Sequence, residues 1–114
     1  MLPPRIPKKA KRDSRWRSPA HAKFVRSHQC CVPGCPSRPI EFAHVRLGSV
    51  AGIGQKPDDW RGVSLCAEHH RRQHNIGEPA FWRGIDVEAL ISAFIAASPK
   101  RREIEAAMRE RANA

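Results

Sequence analysis

The chain has 114 residues, which allows one domain and no more. A domain of this size buries a low fraction of its surface, so a staple such as a bound metal is expected. The formal charge of +10, with a pI near 10.5, points to a polyanionic partner, nucleic acid before anionic lipid, while a basic surface can also serve solubility alone. No apolar stretch approaches the roughly 20 residues that span a bilayer, which argues for a soluble protein without a membrane partner. No apolar leader with a cleavage site opens the chain. Cys30, Cys31, Cys35 and Cys66 are therefore expected to be cytoplasmic thiols, metal ligands before disulfides.

Residues 1–17 hold Pro3, Pro4 and Pro7 among Arg5, Lys8, Lys9, Lys11, Arg12, Arg15 and Arg17, opposed only by Asp13. Such a run buries too little apolar surface to offset its ordering entropy, and it reads as a flexible basic arm, a nucleic-acid contact or a plain solvated tail. Ser18 and Pro19 form an N-cap and first-turn pair that opens a helix to about Ser27. The segment CCVPGCPSRP is turn-like. Ile40 to Val45 alternates as a strand, with Ile40, Phe42 and His44 on one face and Glu41, Ala43 and Val45 on the other. Gly48 to Asp59 is a glycine-rich loop, Arg61 to Leu65 a second short strand, and Cys66 to about Asn75 a helix without breakers. Beyond Gly77 and Pro79, the spacing of Val87, Leu90, Ile91, Phe94 and Ile95 predicts a helix whose stripe is core. Ser98 and Pro99 repeat the helix-opening signal, and residues 98–114 read as a final, mostly exposed helix.

Two constellations carry chemistry. Cys30 or Cys31, then Cys35, then Cys66 and His69 offer four ligands to one tetrahedral zinc, since Cys-x-x-His falls at a strand-to-helix junction and only one of the adjacent cysteines can point inward. A closed set of this kind is structural and couples metal binding to folding. The competing reading is four unrelated buried thiols. His70 and His74, at i and i+4, project from one helix face and can grip a second divalent ion, or can simply be solvated. His69 sits about 100° around the helix from His70, so one helix can serve two metals.

Taken in order, CCVPGC, AHVR, GIGQKPDD and SLCAEHHRRQH-x-x-G, across residues 30–82, resemble the HNH nucleases, also called ββα-metal or His-Me finger nucleases. The resemblance is to the small phage and prophage members that include the recombinase-dependent nucleases. It implies an α+β fold: a zinc-stapled core of two short antiparallel strands, a long loop and a helix, flanked by further helices. The nuclease domain would span residues 18–97. It implies a DNA endonuclease in which His44 is the general base and His70 and His74 hold one catalytic ion, Mg²⁺, Mn²⁺, Ni²⁺ or Zn²⁺, beside the structural Zn²⁺. DNA is the implied substrate, and a recombinase filament is a candidate partner; oligomeric state is left open. Two positions depart from the family pattern. Ala43 stands where many members carry an acidic or second histidine ligand, and no asparagine lies between His44 and His70. Asp59, in the KPDD text, is the stand-in, either binding metal or hydrogen-bonding across the loop. An imidazole, with an ordinary pKa of about 6.5, suits proton abstraction from water near neutral pH, and Arg46 and Lys56 are candidates to hold phosphate oxygens. The alternative is a non-catalytic zinc-finger-like nucleic-acid-binding module; a third reading is an interaction protein that dimerises through its last helix. An enzyme requires a metal site with an open position, a binder only closed ones.

Overall fold

The computed structural model describes residues 1–5, 15–49 and 56–113. These form five α-helices and one two-stranded antiparallel sheet, an α+β arrangement in which both strands are central. Helix α1 (Pro19–Arg26) begins as its sequence demands: Ser18 Oγ accepts the His21 N–H at 3.1 Å, and Pro19 occupies the first turn, where its missing N–H costs nothing. Its buried face is His21, Ala22 and Val25.

Strand β1 (Ile40–His44) pairs with β2 (Gly62–Cys66) in a register running from Ile40 opposite Cys66 to His44 opposite Gly62. That register fixes which side chains share a face. Phe42 meets the His21 ring of α1 edge-on, so Ile40, Phe42 and His44 face α1, whereas Glu41 reaches the opposite side. Every residue of β2 is buried, as expected of a strand covered on both faces. Position 62 has to be glycine, because a Cβ there would lie 1.9 Å from a carbon of the Phe42 ring.

Helix α2 (Ala67–Ile76) follows β2 directly, and Gly77 ends it at φ +83°, a conformation that suits glycine. A short helix, α3 (Glu78–Phe81), comes next; the sequence reading takes Gly77 and Pro79 as punctuation only, yet Pro79 is in a helical first turn. Helix α4 (Val87–Ala97) is capped by Asp86, which accepts the Ala89 N–H at 3.0 Å. Val87 and Ile91 enter the core with Ala43, Val45, Val63, Leu65, Phe81 and Trp82, while Leu90, Phe94 and Ile95 pack on its edge, as the stripe predicts. Each fully buried Val or Leu contributes about 1.5–3 kcal/mol, and the core is small enough that a metal staple matters.

The last helix, α5 (Arg101–Ala112), corrects the sequence reading at its start. Ser98 does not cap it. Its hydroxyl lies 2.7 Å from His21 Nδ1 and accepts the Lys100 N–H, so Pro99 and Lys100 form a turn and the helix starts later. The helix is mostly exposed, as expected, but Ile104 is fully buried and Arg111 closes on Asp58. The last residues of the expected 1–17 arm are bonded to the rest of the chain. Trp16 donates its N–H to Asp58 at 2.7 Å, Asp59 donates its own to the Trp16 carbonyl at 2.9 Å, and Arg17 is bonded to Asp59, so residues 15–17 are part of the folded body. Among the described residues, no helix is long and apolar enough to cross a membrane.

Candidate functional site

Helix α2 carries histidines on two sides. On the first, Cys30, Cys35, Cys66 and His69 bring their ligand atoms within 4.8 Å of one another. A tetrahedral zinc separates two thiolates by about 3.8 Å and a thiolate from an imidazole nitrogen by about 3.5 Å. The observed separations are 3.9 Å for Cys35 to Cys66, 3.4 Å for Cys30 to His69 Nδ1 and 3.2 Å for Cys66 to His69 Nδ1. The four residues are placed to bind a metal ion, and three sulfurs with one nitrogen suit structural zinc. Cys66 does double duty as N-cap, its sulfur accepting the His69 N–H at 3.4 Å.

The structure also separates Cys30 from Cys31. Ser64 of β2 accepts the Cys31 N–H on its carbonyl and donates its hydroxyl to the Gln29 carbonyl, which lays residues 29–31 alongside the strand. Adjacent side chains then diverge. Cys30 enters the cluster, and Cys31 packs against the hydrophobic core, where burial, with the neighbouring Cys30 thiol adding to it, pushes its pKa up to about 12. Cys31 is a neutral thiol outside the ligand set.

On the other side of α2, the Nε2 atoms of His70 and His74 lie 3.3 Å apart. Two imidazole nitrogens sharing one ion, each about 2.1 Å from it, are separated by about 3.0–3.4 Å. Glu41, one strand over, places Oε1 2.8 Å from His70 Nδ1. A carboxylate on Nδ1 orients the ring and leaves Nε2 with its lone pair. Among the described residues, no third histidine, cysteine or carboxylate joins His70 and His74 within ligand reach. Ala43 is fully buried in the core and contributes no ligand.

His74 and His44 line one open cleft of about 280 Å³, together with Arg46, Gln73, Gly77 and Glu78. His44 is held by Asp59, whose Oδ1 is 2.9 Å from His44 Nε2. Asp59 also accepts the Ser18 N–H at 2.8 Å and Arg17 Nη1 at 3.1 Å. Burial alone would raise the pKa of Asp59, but the hydrogen bond from His44, the Ser18 N–H and the charges of His44 and Arg17 outweigh it and hold the carboxyl below its ordinary value. An ionised carboxylate only accepts, so the His44 Nε2 donates a proton to Asp59, and among the described residues Nδ1 has no hydrogen-bond partner. The Asp59 carboxylate thus bonds across the loop to His44.

Two further residues shape the cleft, and sequence reasoning missed both. Gln73 is buried and donates Nε2 to the His44 carbonyl at 3.2 Å and to Glu78 at 3.1 Å. Glu78 in turn accepts the N–H groups of Arg46 and Leu47 and the indole N–H of Trp82. The i, i+5 pairing of Gln73 and Glu78 across Gly77 is the only trace of this hub in the sequence. Arg46 and Lys56 have exposed side chains, Arg46 at the cleft. Arg15 and Arg17, by contrast, spend their charge on Asp58 and Asp59, and Arg17 adds bonds to the Lys56 and Pro57 carbonyls. Lys8, Lys9, Lys11 and Arg12 lie outside the described residues.

Compared with known proteins, the chain matches no family model, no curated protein and no solved structure.

Proposed function

We propose that this chain is a metal-dependent endonuclease of the HNH type that hydrolyses phosphodiester bonds in DNA. The observation that supports it most strongly is that His44, held by Asp59, and His74, paired with His70, line the same open cleft. A zinc module that only binds has no use for a histidine held in a single tautomer beside a second, two-ligand histidine pair. In this reading His44 Nδ1 takes the proton from the attacking water, and Asp59 holds the ring and offsets the charge it gains. A divalent ion on His70 and His74 would supply Lewis acidity toward the phosphate and its leaving oxygen. Arg46, which lines the cleft, holds a phosphate oxygen, and the exposed Lys56 is a second candidate for that role. The high positive charge of the chain draws DNA to this surface. A phage or prophage setting, a recombinase filament as partner and a cytoplasmic location, where thiolates stay available to zinc, belong to the same proposal.

The test is plasmid nicking by the purified protein across Mg²⁺, Mn²⁺, Ni²⁺ and Zn²⁺, with DNA binding and zinc content measured in parallel. His44→Ala is expected to lower the cleavage rate by about 10² to 10⁴ while folding, zinc and binding stay close to wild type. If wild-type protein cuts nothing with any of these ions, with or without a recombinase filament, or if His44→Ala cuts equally well, the chain is a binding module instead.

A further inference from the structure

The KPDD turn has two adjacent carboxylates with different partners. Asp59 serves His44. Asp58 serves the far end of the chain: Arg111 of α5 donates Nη1 to Asp58 Oδ2 at 2.7 Å and Nη2 to Oδ1 at 2.9 Å, a two-pronged pair of the geometry arginine makes best. The Asp58 side chain is only 6% exposed. The Arg111 guanidinium also stands 5.5 Å from the centre of the Trp60 ring, and Trp60 stacks against Trp16 at 5.9 Å. Asp58 and Asp59 grip the same short segment, since Trp16 N–H goes to Asp58, Ser18 N–H goes to Asp59, and the Asp59 N–H returns to the Trp16 carbonyl.

From this arrangement we infer that Arg111 is a positioning residue for His44, and that the C-terminal helix is a latch that sets the cleft through the Arg111, Asp58, Asp59 and His44 relay. The inference rests on the nuclease reading for its catalytic consequence and on geometry alone for its structural one. Asp58 is the N-cap of a single 3-10 turn, Asp59–Arg61, and its own side chain makes no capping bond there. What holds its carboxylate is the Trp16 N–H, the arginine fork and the more distant Arg15 guanidinium at 3.9 Å. With the fork gone, the turn loses its tie to α5 and is held from the N-terminal side alone, by residues 15–18, and the Asp59 carboxylate gains freedom against the His44 ring. An oriented base tolerates this poorly, because a misplacement of order 1 Å costs up to about a hundredfold in rate.

The experiment compares wild type, Arg111→Met and Arg111→Lys in the zinc-loaded full chain. Methionine keeps the apolar stem over Trp60 and removes the fork; lysine restores the charge. The tautomer state of His44 is read from its ring ¹⁵N shifts, with assignment checked by His44→Ala. In Arg111→Met, the His44 nitrogens are expected to move from a fixed Nε2–H pattern toward tautomer averaging. The cleavage kcat is expected to fall about tenfold with KM nearly unchanged, and Arg111→Lys to recover part of both. A His44 spectrum identical to wild type in a folded Arg111→Met protein overturns the latch. So does a loss of activity that vanishes when rates are counted per folded molecule. If the shifts change as expected while wild type cleaves nothing, the latch stands and the nuclease reading falls.

Discussion

The two histidine faces of α2 differ in one respect that decides what each can do. His69 joins three sulfurs, two of them on buried cysteines, in a set that is complete at four ligands. His70 and His74 face outward with two ligand atoms and, among the described residues, no third. A filled tetrahedron has no room for a substrate, whereas a pair leaves positions for water and phosphate. The ten residues of α2 thus carry a four-ligand set on one side and, in the proposed reading, the reactive pair on the other. The lesson is that one helix can present a closed ligand set and an open one, told apart by ligand count and burial.

The contrast breaks first at the closed face. Cys66→Ser removes a ligand that is also the cap of α2, and structural zinc is worth on the order of 10–16 kcal/mol of apparent binding free energy that appears as folding free energy. The expected result is loss of zinc and of the cooperative melt, followed by metal analysis and circular dichroism. Cys31→Ser, one residue outside the ligand set, should keep its zinc. A Cys66→Ser protein with wild-type zinc and melting temperature would show that the cluster is not a staple.

At the open face the same kind of damage should leave the fold alone. Glu41→Ala removes the carboxylate on His70 Nδ1, and loss of such an outer partner lowers metal affinity about 10- to 100-fold. Calorimetric titration of Mn²⁺ into zinc-loaded protein measures it, with the melting temperature and zinc content expected to stay at wild-type values. Equal Mn²⁺ affinity in the two proteins would remove Glu41 from the site.

A smaller effect sharpens the comparison at the base. The pKa of Asp59 is lowered in the fold, so the unfolded chain takes up that proton more readily. The resulting stability is present above the ordinary carboxylate value of 3.8 and is lost as pH falls through the lower folded value. Asp59→Asn never has it. Near neutral pH the variant should be less stable by on the order of 1–2 kcal/mol, and the gap in melting temperature should close as pH falls below about 4. A gap that stays constant with pH would mean that the Asp59 charge is not what holds His44.

Some of this was legible along the chain because it depends on local spacing. The cap at Ser18, the Cys-x-x-His junction at Cys66 and His69, and the one-face pairing of His70 with His74 follow from helical geometry within a single turn. So does the core stripe from Val87 to Ile95. Chain-distant partners were beyond local pattern, since no periodicity links residue 41 to 70, 59 to 17 or 58 to 111. The hairpin register brings Glu41 under His70, and hydrogen bonding to Ser64 turns Cys30 in and Cys31 out. Residues 16–18 and α5 both meet the KPDD turn, which gives Arg17 and Arg111 carboxylate partners that a charge count does not reveal. Spacing along a helix is a property of the backbone and travels with the sequence, whereas the partner of a buried carboxylate is settled only when strands, turns and termini close on one another.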